Sequence, residues 1–195
     1  MSSDDAPSAA SLPRQGAAQT RQDAVLRAVR ELEQHVAAGG WDGPVRVFAL
    51  VRTADALVRD RDLAGRLPAD VVAAAQADPE HITIVEQEDL PSASSLEELL
   101  GSITWPPTVD GAAVVTERVV VPPEVEAQLP ADPDEAVTWL AQHPARREVR
   151  LAAAVLRDGT NGCAVRARDH DRASDVAVGP DLVPGLIEGL SATLR

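Results

Sequence analysis

Lysine and tyrosine are absent from this chain of 195 residues, and cysteine, methionine and phenylalanine occur once each. Without Lys there is no phosphate-binding loop of the G-x-x-x-x-G-K-[ST] type, and the dinucleotide fingerprint G-x-G-x-x-G is missing too. A single Cys163 leaves no internal disulfide and no cysteine-built zinc cage. No H-E-x-x-H or G-x-S-x-G motif occurs, so neither a helix-borne metal pair nor a nucleophile elbow is signalled. No apolar run approaches the roughly 20 residues that a helical bilayer span requires. The opening MSSDDAPS lacks the basic and apolar regions of a secretory signal. A sequence pI near 4.6 argues against nucleic acid and against anionic membranes. These absences lead to the expectation of a cytoplasmic protein with no cofactor.

Aromatic residues make up 2% of the chain while the apolar fraction is 45%, so aliphatic side chains must build the core. The formal net charge of −13 is unevenly placed. Residues 67–145 hold fifteen acids and one cation, Arg118, while the remainder is close to neutral. Such a bias speaks to solubility and partners more than to fold.

Residues 1–19 are small, polar and aperiodic and read as a disordered tail, leaving 20–195 as a single domain. Thr20 opens a helix whose Val25, Val29, Leu32 and Val36 recur at helical spacing until Gly39-Gly40. The run 45–51 reads as an interior strand and 81–88 as a second strand, with Glu86 and Glu88 on one face. Thr53 caps a helix over 54–66, and residues 68–79 form an Ala-rich connection or a short helix. Ser95 and Glu98 make a capping box for a short helix. Residues 112–121 form a β-branched strand. Asp132-Pro133-Asp134-Glu135 opens another helix. The clearest unit is a hairpin of 148–157 and 163–169 about the turn DGTNG. A closing helix begins at Gly179-Pro180-Asp181 with Leu182, Leu186, Leu190 and Leu194 as its stripe. The resulting fold is α+β, a five-stranded, mainly antiparallel sheet packed with helices.

Few residues invite chemistry. Asp169-His170-Asp171 can orient an imidazole or contribute to a metal site, and Glu86 with Glu88 can share a proton or a divalent cation. Solvated strand-end groups are the plainer assignment for both. Cys163 lies on a strand face with Val165 and Ala167, which favours packing. If Arg157 faces Cys163, then Arg150, Ala152, Ala154 and Leu156 share a face with Ala164, Arg166 and Arg168, and the opposite face is the core side. Arg150, Arg166 and Arg168 then form a basic patch among small alanines. Either they receive an anionic ligand or a carboxylate-rich peptide, or they reach the protein's own Glu86, Glu88 or Glu117. Trp41, Trp105 and Trp139 plug the core under loops or anchor a partner.

The runs VRVFALVRTADAL, IVEQEDLP and EVRLAAAVLRDG…CAVRARDHD…GPDLVPGLIEGL resemble a family of small acidic actinobacterial proteins, a likeness that covers most of residues 22–194. The resemblance implies a cytoplasmic protein and carries no activity, cofactor or catalytic residue. The element order is also similar to that of small acidic dimeric chaperones of secretion systems, with additional helices between the strands. These readings favour a non-catalytic protein-binding, adaptor or chaperone-like module with a protein partner and a possible homodimer. The rival is a small hydrolase or metal-dependent enzyme using Asp169, His170 and Asp171 with Glu86 or Glu88.

Overall fold

The computed structural model describes residues 12–195, with side chains from Gln19 onward and that of Pro123 excepted. The first helix, α1, spans Leu12–Ala37, so it begins ahead of the Thr20 start that capping chemistry suggests. Residues 12–19 are mainly good helix formers, with Pro13 in the first turn where its missing N–H costs nothing. Of the tail expected over residues 1–19, residues 12–19 are helical and residues 1–11 lie outside the described residues. Val25, Val29 and Leu32 are buried as the periodicity predicts. The helix ends as the N–H groups of Ala38, Gly39 and Gly40 bond back to Gln34, Val36 and Ala37, and Gly40 takes a positive φ of 83°.

Six strands form one antiparallel sheet, one more than the sequence suggests. They are β1 (Arg46–Arg52), β2 (Ile82–Glu86), β3 (Gly111–Val120), β4 (Arg147–Leu156), β5 (Asn161–Ala167) and β6 (Ala177–Gly179). Their order across the sheet is β2-β1-β3-β4-β5-β6. The additional strand β6 has three residues, too few to show alternation, and it occupies the Gly179 position expected to start the last helix. That helix starts at Pro184 instead, with the proline in its first turn.

The helices after α1 are α2 (Thr53–Arg59), α3 (Ala69–Ala77), α4 (Leu96–Gly101), α5 (Pro123–Glu126), α6 (Pro133–Gln142) and, after the last strand, α7 (Pro184–Thr193). The span expected as one helix over 54–66 breaks after Arg59 and continues as a 3-10 turn over Arg61–Gly65. Asp132 caps α6 by accepting from the N–H groups of Asp134 and Glu135, both at 3.0 Å. Ser95 caps α4 through Glu98 N–H at 3.1 Å, but the Glu98 carboxylate bonds to the main chain of Ser94 rather than closing the box on Ser95.

Both faces of the sheet are covered. On one, α1 packs over Phe48, Leu50, Ala113, Ala152, Ala154 and Ala164. On the other, α4 and α7 bury Ala112, Val114, Ala153, Val155 and Cys163. The expectation of a single core side is therefore corrected. The hairpin alanines and Gly162 are the seat of α1: a Cβ at Gly162 would stand 3.1 Å from Val25 and 3.2 Å from Leu26. The hairpin register also differs from the expected one, with Ala153 rather than Arg157 opposite Cys163. Leu156 N–H bonds to the Thr160 carbonyl, which closes a tighter turn and moves the β4 partner of each β5 residue by four positions. The shift is even, so every residue keeps its face.

Candidate binding groove and the arginines beneath α1

Arg150, Arg166 and Arg168 share one face as expected, but the patch is not an open surface. Arg150 and Arg166 are 1% and 4% exposed, directly opposite each other across β4 and β5. Two guanidiniums in that position repel unless an anion separates them. Glu33 of α1, fully buried, supplies it. Its Oε1 and Oε2 accept from Arg166 Nε and Nη2 at 2.6 and 2.7 Å, a bidentate pair. Glu33 Oε1 also lies 3.7 Å from Arg150 Nη1.

Arg150 Nε and Nη2 donate to Glu117 Oε1 at 3.2 and 2.8 Å, and Nη2 donates further to the Gly40 carbonyl. The Trp41 ring covers this guanidinium at 4.4 Å, a desolvated cation–π contact. Arg166 Nη1 bonds to the Asp171 carbonyl and carboxylate. Arg168 is half-exposed, with bonds of 2.8 Å to both Asp42 carboxylate oxygens and 2.6 Å to Glu148. Hydrogen bonding to these partners holds the Arg168 and Arg166 pKa values above the ordinary guanidinium range and that of Asp42 below the usual carboxylate range. Of the acids expected to meet the arginines, Glu117 does so. Glu86 pairs with Arg46 instead, and Glu88 is exposed at the end of β2.

Glu33 is the residue that sequence reasoning missed. Its signal was present: it stands four residues after Val29 and three before Val36, on the buried stripe rather than the wet side.

The other candidate cluster does not assemble. Asp169 and His170 lie in a 3-10 turn after β5, exposed, with His170 Nδ1 3.0 Å from Asp169 Oδ1. That contact holds the Asp169 carboxyl below its usual range. Asp171 is engaged by Arg166 and by Trp41 Nε1, the latter at 3.1 Å. Glu86 and Glu88 lie on or just beyond β2, four strands away from β5, about 19 Å at normal strand spacing. Among the described residues no group of three or more His, Cys, Asp and Glu side chains converges to hold a metal ion. Cys163 is fully buried, and burial raises its thiol pKa. Trp105 plugs the core, its Nε1 donating to Thr193 Oγ1 at 3.0 Å, whereas Trp139 is half-buried beside His143 on α6.

A cleft arises from a mismatch of strand lengths. β1 pairs with β3 only over Gly111–Val115, while β4 pairs with β3 along Gly111–Val120. Past Val115, therefore, β3 has no strand on its β1 side. A cleft of about 460 Å³ opens there between the α1–β1 loop (Gly39, Gly40, Gly43, Pro44), the β2–α4 loop (Asp89, Leu90), Thr116, Glu117 and the Arg150 side chain. A second hollow of about 340 Å³ continues it past Val45 and Leu90 to Leu96, Leu99 and Arg118. The positive φ of Asp42 and Asp89, 66° and 56°, turns the two loops that wall the cleft. Arg150 Nη1 is buried and, among the described residues, has no hydrogen-bond partner.

An open, six-stranded antiparallel sheet between helices, with a groove along an overhanging central strand, defines an α+β domain with a main-chain-lined cleft. The family model for PPA1309-like protein matches residues 25–195, so the chain belongs to the PPA1309-like protein family. No curated protein and no solved structure matches the chain. No described helix is long and apolar enough to cross a membrane.

Proposed function

We propose that this protein is a non-catalytic, cytoplasmic binding module of adaptor or chaperone-like type that engages a segment of another polypeptide. The observation that carries the reading is the groove along β3. It combines aliphatic side chains (Val45, Leu90, Leu96, Leu99) with main-chain groups, the paired charges Arg46–Glu86 and Arg150–Glu117, Asp89, and Arg118 at its periphery. Apolar walls with a few polar anchor points suit a peptide better than a small polar metabolite. The buried arginines support the same reading indirectly. Arg150 and Arg166 are engaged by Glu33, Glu117 and Asp171, so they hold the fold, and Arg150 lends the groove a floor.

Selection of a displayed random-peptide library on the purified full chain tests the proposal. Sequences should be enriched, and Leu90→Arg, a change at the rim of the groove where Leu90 packs partly buried on the core, should lower their affinity at least tenfold, with a cooperative unfolding transition showing that the variant folds. Enriched peptides indifferent to Leu90→Arg would move the site elsewhere. A library from which nothing is enriched would remove the binding reading.

A further inference from the structure

Strand registers determine which way each main-chain group of β3 points. Leu156 N–H bonds to Thr160 O, and Arg157 N–H bonds to Asp110 O. Even-numbered β4 residues therefore bond to β5 and odd-numbered ones to β3, which assigns the even-numbered residues of β3 to β4. Odd-numbered β3 residues point their N–H and C=O groups toward β1. For Gly111, Ala113 and Val115 that neighbour is present; for Glu117 and Val119 it is not. Four main-chain groups thus face the open side without a ladder partner. Helix α6 packs against β3 but contributes no lining residue to either hollow.

Side chains alternate along this overhang. Thr116 and Arg118 lie on the α4–α7 side, where Arg118 borders the hollow of Val45, Leu90, Leu96 and Leu99. Arg118 is exposed and has no carboxylate within ion-pair distance among the described residues; Glu97 acts on it only at longer range. It is also the single cation among the fifteen acids of residues 67–145.

We propose that the groove takes an extended partner segment as an additional antiparallel strand on β3, bonded to the main chain of Glu117 and Val119, with a carboxylate side chain meeting Arg118 and an aliphatic side chain two residues on entering the hollow beside Leu90. This rests on the polypeptide-binding reading and names its mode and ligand chemistry. Strand addition follows from continuity, since the segment fills the lane that β1 leaves. The carboxylate follows from charge complementarity with an unpaired guanidinium. In an antiparallel pair the residue opposite Arg118 directs its own N–H away from β3, while its two neighbours direct theirs toward Glu117 and Val119.

The probe is a blocked nine-residue peptide, Val-Thr-Val-Thr-Asp-Thr-Val-Thr-Val, titrated into the full chain by calorimetry. N-methylation of the two residues flanking its Asp should abolish binding, and N-methylation of the Asp itself should change affinity less than threefold. Arg118→Glu should weaken binding at least tenfold, and replacing the peptide's Asp with Lys should restore it on that variant. Arg118 is exposed, so an unchanged unfolding midpoint checks that this variant folds. Equal effects of the two methylation patterns would overturn strand addition; if binding still required Leu90, the polypeptide-binding reading would survive. A probe that fails while library-selected peptides bind would overturn the ligand chemistry alone. A full chain that sediments as a dimer and becomes a monomer with Leu90→Arg would assign the groove to a second copy and overturn the proposal. Failure of both probe and library would remove the two readings together.

Discussion

Glu33 keeps two like charges apart inside the protein. Removing one member of a buried, hydrogen-bonded ion set leaves the others desolvated and uncompensated, typically at 3–5 kcal/mol. Glu33→Ala is therefore expected to lower unfolding free energy by about 3–5 kcal/mol in urea titration. Glu33→Leu combined with Arg166→Met should recover most of that loss, because Arg150 retains Glu117. A loss below about 1 kcal/mol for Glu33→Ala, the value of a surface pair, would contradict the buried network. Cys163 gives a second test at this scale. It is fully buried, and burial raises its thiol pKa. Dithionitrobenzoate should leave it unmodified in the native protein and react promptly in denaturant. The pairing partners of the arginines were only partly legible. Glu117 is adjacent to Arg150 in the sheet, whereas Glu33 is reached from another element, and one overlooked stripe position concealed it.

At the scale of elements, β3 tolerates no side chain where it starts. A Cβ at Gly111 would collide with the Val155 carbonyl oxygen and the Leu156 side chain. Overpacking of this kind costs about 1–3 kcal/mol, so Gly111→Ala should lower the denaturation midpoint accordingly; a neutral result would contradict the register. Helix α1 is tied at its outer side by Arg21, whose Nε lies 2.8 Å from Glu80 and whose Nη1 lies 2.7 Å from Asp158. The Arg21 hydrogen bond holds Glu80 below the usual carboxylate range. At Asp158 burial alone would raise the pKa, but bonds from Arg21 and Thr160 outweigh it and leave it lowered. A lowered native pKa means that the unfolded chain takes up protons first. This stabilisation is then complete above the ordinary carboxylate range near pH 4 and is lost as pH falls through the lowered values. Glu80→Gln should flatten the decline of stability with acid below about pH 5; an unchanged slope would show that the tie contributes nothing. Helix periodicity and hairpin parity were readable because both survive small errors of boundary. The hairpin register moved by four residues and no side chain changed face. The strand β6, with three residues, carried no pattern to read.

For the whole molecule, the acidic bias acquires a location. The acids near the buried arginines are engaged, and exposed acids outside that network stand on α4, α5 and α6. The groove itself could not be foreseen from local patterns. It follows from pairing a seven-residue β1 with a ten-residue β3, a comparison that exists only once strands distant in sequence are adjacent. The β-branched strand over residues 112–121 was legible; the vacancy beside Glu117 was not. The free β2 edge at Ile82, Ile84 and Glu86 is a second unpaired row, but Glu86 on that strand is held by Arg46, and the hollow beside Ile84 and Glu86, about 230 Å³, is smaller than the groove along β3.

Amide hydrogen exchange of β3, resolved by NMR with and without a library-selected peptide, tests the central claim most directly. Thr116 and Arg118 should be protected in the free protein through β4, while Glu117 and Val119 exchange at least tenfold faster; peptide should slow those two specifically. Equal protection of all four amides in the free protein, or a bound peptide that leaves Glu117 and Val119 unchanged, would contradict the account.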